Sequence, residues 1–391
     1  MARILCVWEM GSALGHLSNL KPFVDAAQAA GHQVILALKE LHNIAAVLPN
    51  CALPLFQAPY LMRPPRTSSR LLSYSQLVLE RFETDAELTA LCQAWDTLFD
   101  AVAPDVVVYD FAPSALIASL GKPWRKWVIG NGFFIPRGDG PFLGLFPRVK
   151  KTAENAATLR NADATLLARV NHVLHRRGIA AIADVRQLFS QADSQLLMTL
   201  PELDAFGARP GADYVGIPPQ MPSQAPRWPA GGGQKIFAYL AKFPALEAFL
   251  AALDGLNAST LIYSRDIPPA LQARFPRLGF VDSPLDLEQV NAEADLVVNM
   301  GSHTTCAQAL MAGVPQLVIP RRQEQYFTAA RIASQGRGVL MPANTERPAA
   351  AIARALDLPR ANLAFDPERR RRLSGPLLAA RIGDLLAGLE P

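Results

Sequence analysis

Residues 295–320, DLVVNMGSHTTCAQALMAGVPQLVIP, constrain this chain more than any other stretch. Leu296-Val297-Val298 is a short apolar run of the kind that forms a strand buried on both faces. The small-residue turn Gly301-Ser302 follows, and Thr304-Thr305 lead into Ala- and Leu-rich helical sequence. Gly313-Val314-Pro315 stops that helix, and residues 316–320 read as the next strand. Strand, tight turn, helix and strand make one βαβ unit. The N-terminus of its helix presents free N–H groups and the positive end of a dipole, where anionic oxygens bind. A plain crossover of a parallel sheet has the same pattern, so this stretch alone fixes local structure and not a ligand.

The 391 residues predict two domains, each with enough sequence for its own core. Half the residues are hydrophobic and 18% are charged, which excludes disorder. A net charge of +4 with no aromatic-interleaved basic stretch argues against a nucleic-acid partner. Cys6, Cys51, Cys92 and Cys306 lack CxxC spacing, and no HxH or HExxH grouping exists, so neither a disulfide framework nor a metal site is expected. The apolar run at 4–8 ends at Glu9, too short for the core of a signal peptide, and no stretch approaches a membrane span. These features predict a cytosolic protein.

The chain begins with strand 4–8, the small-residue turn 11–16, a helix over 17–30 with Leu20, Phe23, Val24 and Ala27 on one face, and a second strand at 34–38. This is a Rossmann-type start. The dinucleotide fingerprint needs GxGxxG, and only Gly11 and Gly15 are present, so Glu40 as a ribose acid leaves NAD a weak option. His16 enters the helix from that turn, where the dipole keeps its ring neutral and able to accept a proton. Asp110 ends the apolar strand 104–109, which opens onto the same crevice, and is the carboxylate expected to hold the second ring nitrogen. Taken singly, His16 also reads as a capping or surface histidine, and Asp110 as the N-cap of a helix at 114–120.

These residues resemble the nucleotide-sugar-dependent glycosyltransferases of the UDP-glycosyltransferase superfamily, bacterial natural-product type. The family pattern GHxxPxxxLAxxLxxxGHxV is matched in spacing by GHLSNLKPFVDAAQAAGHQV at 15–34, with Asn19 in place of the first proline. The pattern HxGxGTxxEALxxGxPxxxxPxxxDQxxNAxRVxxxGxG is met by Gly301, Thr305, Ala309, Leu310, Gly313, Pro315, Pro320, Gln325, Ala329, Arg331, Gly336 and Gly338. The resemblance is strong over 1–34 and 295–340 and weak in the stretch that separates them. It departs at Met300, where the family has its diphosphate-binding histidine, at Thr304 for a glycine, at Gln308 for an acid that can hold the ribose, and at Glu324 for aspartate.

The resemblance implies an α/β fold of GT-B architecture, two Rossmann-like doubly wound domains facing across a cleft. It implies an acceptor-binding domain at 1–216, a donor-binding domain at 234–366 and a helical tail at 367–391, joined by the Pro- and Gly-dense linker 217–233. By likeness, His16 deprotonates the acceptor and Asp110 orients it. Donor contacts are expected from Gly15, Val281, Asn299, Gly301, Ser302, His303, Thr304, Thr305, Gln308, Glu324 and Gln325. His303 is favoured over Asn299 to replace the missing histidine, because turn residues above strand ends reach ligands most often.

Helices are expected at 71–79 and 84–102, and since long insertions near the cleft line the acceptor pocket in the resembling family, the resemblance implies Tyr60, Tyr74 and Phe82 as acceptor contacts. The Gly- and Phe-rich loop after strand 124–129 adds Asn131, Phe133 and Phe134, and the loop at 138–142 continues it. Core packing and a loop filled by its own aromatics are the competing readings. His172, His175, Arg176 and Arg177 read as a solvated helix face. The run Glu368-Arg369-Arg370-Arg371-Arg372 reads as solvated, with an anionic membrane as the other reading.

The expected function is metal-independent, inverting transfer of a sugar from a UDP- or dTDP-linked donor to a hydroxyl of a small, largely apolar acceptor, with no cofactor. A nucleotide-sugar 2-epimerase of the same architecture and a non-catalytic partner of a transferase are the alternatives.

Overall fold

The structure is a computed structural model that describes the chain except residues 12, 13, 43, 63–72, 139–149, 222, 361–364, 390 and 391. The expected Pro- and Arg-rich loop at 62–70, the start of the helix at 71–79 and most of the loop at 138–142 fall outside the described residues.

Continuous apolar runs become the central strands, buried on both faces, and shorter exposed or half-buried runs pair at the sheet edges. In the first sheet these are β1 (Arg3–Trp8), β2 (Gln33–Leu38), β3 (Leu55–Gln57), β4 (Val106–Asp110), β5 (Arg125–Gly130), β6 (Ser194–Leu197) and β7 (Asp213–Tyr214). The second sheet holds β8 (Gln234–Tyr239), β9 (Ala258–Tyr263), β10 (Gly279–Val281), β11 (Leu296–Asn299), β12 (Gln316–Val318) and β13 (Gly338–Leu340). Their spatial orders are β3-β2-β1-β4-β5-β6-β7 and β10-β9-β8-β11-β12-β13. Both are doubly wound, with the order reversing where β1 meets β4 and where β8 meets β11. Ligands bind above such reversal points in open parallel sheets. Register places Trp8 beside Asp110 and Val298 beside Ala238 at those points.

The chain folds as two compact units that are not successive in sequence. The first comprises Met1–Met198, Ala208–Val215 and Leu378–Pro391, and the second Thr199–Gly207 and Gly216–Leu377. Within the first, Arg381 pairs with Asp213 at 2.6 Å. Within the second, the Glu202 carbonyl accepts from Arg331 and Gln335, and its carboxylate pairs with Arg369 at 3.3 Å. The tail, read from sequence as one helix, is two, Pro367–Leu373 and Pro376–Ala387, broken at Gly375 with φ +123°. Among the described residues no helix is long and apolar enough to cross a membrane. The four cysteines are free, and burial pushes the Cys6 thiol up to about 12.

Candidate functional site

In the first unit the helix Leu14–Ala29 starts above β1 and buries the face of His16, Leu17, Leu20, Phe23, Val24 and Ala27. His16 is 5% exposed and Asp110 not at all. The His16 Nδ1 lies 3.1 Å from the Asp110 Oδ2. A carboxylate only accepts, so it selects the tautomer in which Nδ1 carries the proton and Nε2 keeps its lone pair. Aromatic rings fix the imidazole: Trp8 stacks on it at 5.2 Å between centroids, Phe111 at 6.0 Å, and Phe134 tilts against it at 5.0 Å. The arrangement fixes the ring's orientation and tautomer and leaves Nε2 as its hydrogen-bond acceptor.

The turn beneath this pair is held from several sides. The Met10 N–H donates to the Phe111 carbonyl at 3.0 Å, and the Lys39 ammonium donates to the Gly11 carbonyl. Phe111 has φ +47°, which strains a bulky residue by about 1–3 kcal/mol. Gly11, at φ +83°, faces the outer ring nitrogen: a Cβ there would stand 2.2 Å from His16 Nε2. Asp110 does not cap the following helix, Pro113–Ala118. Glu9 does so from the end of β1, its Oε2 accepting from the Ser114 and Ala115 N–H groups while Oε1 accepts from Arg81. The charge that interrupts the first apolar run was the sequence signal for this cap.

The acceptor candidates separate. Phe134 lies against His16, and the Tyr74 hydroxyl donates to the Phe134 carbonyl at 3.1 Å, so Tyr74 holds that wall in place. Burial, with the charges of Glu9 and Asp110, pushes the Tyr74 phenol well above its ordinary range. Asn131 spends its carboxamide oxygen on the Phe133 and Phe134 N–H groups. Phe82 is fully buried, which corrects its reading as a pocket residue: it is core. Tyr60 is half exposed and, with Phe56, Met62 and Leu98, lines a groove of about 830 Å³ in this unit. Gly15 is exposed in the first helical turn. Arg177, read from sequence as solvated, instead pairs with Asp96 at 2.6 Å and donates to the Ala118 carbonyl.

In the second unit the βαβ stretch folds as its sequence predicts, β11, then the helix His303–Ala312, then β12. Gly301 has φ +83°, and Gln325 packs so closely that a Cβ at 301 would lie 2.7 Å from its own Cβ. Ser302 occupies the N-cap without a side-chain hydrogen bond, leaving the first N–H groups of the helix uncapped by it. Thr304 is half buried and Thr305 buried in that first turn.

The two candidates for the missing histidine part company here. Asn299 points into the sheet: it donates to Gln316 at 3.2 Å and accepts from the Gly301 N–H at 2.7 Å and the Cys306 thiol at 3.1 Å. That corrects its reading as a donor ligand. Met300 packs into the hydrophobic core, where a thioether is at home. His303, the first residue of the helix, has both ring nitrogens shut off from water and without a partner among the described residues. Burial lowers its pKa to about 4, against a smaller opposing pull from the Asp204 carboxylate.

Gln325 is also reassigned, since its carboxamide oxygen accepts from the Arg321 and Arg322 N–H groups and caps its own helix. Glu324 stands in the first turn of that helix, and the Val281 carbonyl is taken by the Ser264 N–H. Gln308 lines a cavity of about 710 Å³ within this unit, with Arg360, Arg370 and Arg371.

A stability test follows from His303. Its folded pKa of about 4 lies below the ordinary 6.5, so the unfolded chain takes up a proton that the folded chain refuses. Stability from this group is full above pH 6.5 and is lost as pH falls toward 4, by at most about 3 kcal/mol. His303→Gln should flatten that part of the acid slope in urea melts at pH 7 and pH 4.5. An unchanged slope would contradict the buried neutral ring.

No family model matches the chain. The calicheamicin glycosyltransferase CalG4 superimposes with a TM-score of 0.67 at 15% identity, over 100% of this chain and 99% of that one. The glycotransferase of kitacinnamycin gives 0.66 at 18% identity, over 100% and 98%. SnogD from Streptomyces nogalater gives 0.60 at 19% identity, over 99% of each. The chain has the GT-B fold of the bacterial natural-product glycosyltransferases. By sequence it is similar to the PGL/p-HBAD biosynthesis glycosyltransferase of Mycobacterium tuberculosis, 24% identical over 286 residues. That match covers 66% of this chain and spans 64% of the relative's length. On the GT-B scaffold the two groups just described stand above the reversal points of their own sheets: His16 with Asp110 in one unit, the turn 301–305 in the other.

Proposed function

We propose that the protein is a glycosyltransferase that moves a sugar from a nucleoside-diphosphate donor to a hydroxyl of a small, largely apolar acceptor. The carrying observation is the buried His16–Asp110 pair, with Nε2 unpartnered among the described residues, on a fold shared with glycosyltransferases such as CalG4. Nε2 takes the proton of the acceptor hydroxyl as that oxygen forms a bond to the anomeric carbon. The bond from that carbon to the diphosphate breaks, and the diphosphate leaves with the electron pair. A single displacement of this kind inverts the anomeric centre. Asp110 stabilises the imidazolium formed.

The second unit supplies the diphosphate site at the start of the helix His303–Ala312, from uncapped N–H groups and the His303 ring. SsfS6 and the spinosyn rhamnosyltransferase SpnG have both been solved in complex with thymidine diphosphate, which favours a dTDP- or UDP-linked donor here. The direct test is transfer from dTDP- and UDP-sugars to a panel of phenols and apolar alcohols, read by mass. Absence of any glycoside, with no donor hydrolysis, would sink the reading.

Metal independence is part of the proposal. Among the described residues no group of three or more His, Cys, Asp or Glu side chains is placed to hold a metal ion. Turnover should therefore be unchanged in EDTA. Loss of activity on chelation, restored by magnesium or manganese, would refute it.

A further inference from the structure

We propose that Asn19 is a positioning residue of the His16–Asp110 pair, the fixed donor that holds the Asp110 carboxylate and aims it at the imidazole. The inference rests on the reading of His16 as the base. Residues 16 and 19 are three apart in one helix and so share a face. From that face the Asn19 carboxamide donates to the Asp110 Oδ2 at 3.3 Å, the same oxygen that His16 meets at 3.1 Å. The Asp110 Oδ1 is shut off from water with no partner among the described residues. A buried carboxylate is normally stabilised by several donors or by a cation. Among the described residues Asp110 has two donors, the Nδ1–H of His16, which the ring carries in both of its states, and the Asn19 carboxamide, which comes from outside the titrating ring.

Among the described residues the neighbouring contacts supply no substitute. From β1, Glu9 is tied to Arg81 and to the helix that follows β4. From beyond β2, the Lys39 ammonium is directed at the Gly11 carbonyl. Tyr74 presents a neutral phenol bonded to Phe134, and beside Oδ1 on β5 there is Gly130. At position 19 the resembling family pattern has proline, which carries no donor at all. This chain has a donor where the pattern offers none.

Removing that donor has two consequences with one sign. The carboxylate anion is less stabilised, and what charge it holds acts more strongly on His16. Both make the pair bind its proton more tightly. Loss of one hydrogen bond to a charged carboxylate displaces the carboxylate by about one pH unit or more, of which a part, about half a pH unit, reaches the ring.

The experiment is a ring-nitrogen NMR titration of the full chain, comparing wild type with Asn19→Leu, Asn19→Ala and Asn19→Asp. The His16 midpoint should rise by about half a pH unit in the leucine and alanine variants. It should rise further in the aspartate variant, which adds a like charge at the same shape. His32, whose Nδ1 accepts from the Ala2 N–H, is the internal control and should not move. Alanine adds no bulk, so it decides the matter where leucine disturbs packing. An unmoved or lowered His16 midpoint in the folded alanine variant overturns the proposal. The titration needs no substrate: failure of transfer chemistry would remove the base and leave this coupling standing, and the reverse also holds.

Discussion

His16→Ala should lower turnover by about 10²–10⁴-fold while leaving nucleoside-diphosphate affinity within a factor of two of wild type. The size follows from what a positioned base contributes to proton transfer in the transition state. The selectivity follows from location, because His16 belongs to the first unit and the helix His303–Ala312 to the second. Asp110→Asn should fall short of the alanine effect yet remain clearly impaired. It keeps the shape of the carboxylate but withdraws the charge that supports imidazolium and lets the ring adopt the wrong tautomer. Comparable turnover in His16→Ala and wild type, with a hydroxyl acceptor, would eliminate the base.

His303→Ala should weaken binding of thymidine diphosphate about 10–100-fold, as loss of one hydrogen bond to a charged group predicts. Wild-type binding should also take up protons near pH 6. A ring whose pKa burial lowers to about 4 becomes easier to protonate once phosphate lies against it. Calorimetry in two buffers of different ionisation enthalpy reads that uptake directly, and the alanine variant should lack it. Asn299→Ala serves as the contrast. Its side chain ties β11 to Gln316 and to the turn at Gly301, so that variant should lose melting temperature rather than affinity. Wild-type affinity in His303→Ala would place the diphosphate elsewhere.

Much of the fold was legible because a parallel sheet writes itself plainly, as apolar runs separated by helical periodicity. The βαβ stretch at 295–320 folds as read. The pairing of His16 with Asp110 was legible too, since both lie at strand ends flanking one reversal point. What sequence spacing does not convey is which way a side chain turns at the end of a strand. Asn299 and His303 stood as alternatives, and the choice depends on the sheet's own need for Asn299 beside Gln316 and Cys306. Phe82 and Tyr74 were read as pocket residues because aromatic character is the same in a core and in a ligand wall. The break of the tail into two helices is written locally, in Gly375-Pro376, and was passed over; the exchange of 199–207 and 378–391 between units depends on tertiary contacts such as Arg381 with Asp213, which no local pattern announces.

The contact of Gly11 with the His16 ring has a consequence for how activity of this kind can be lost. On the proposed mechanism the proton-accepting nitrogen has, on that side, only the volume left by an absent side chain. One methyl group at position 11 would occupy the lone pair's own space, without removing His16, Asp110 or any residue of the second unit. A chain altered in that way would keep every residue by which a base and a diphosphate site are recognised, and would still be silent toward an acceptor. Inventories of catalytic residues would score it as an enzyme, so position 11 has to be read alongside them when relatives of this protein are sorted into active and inactive.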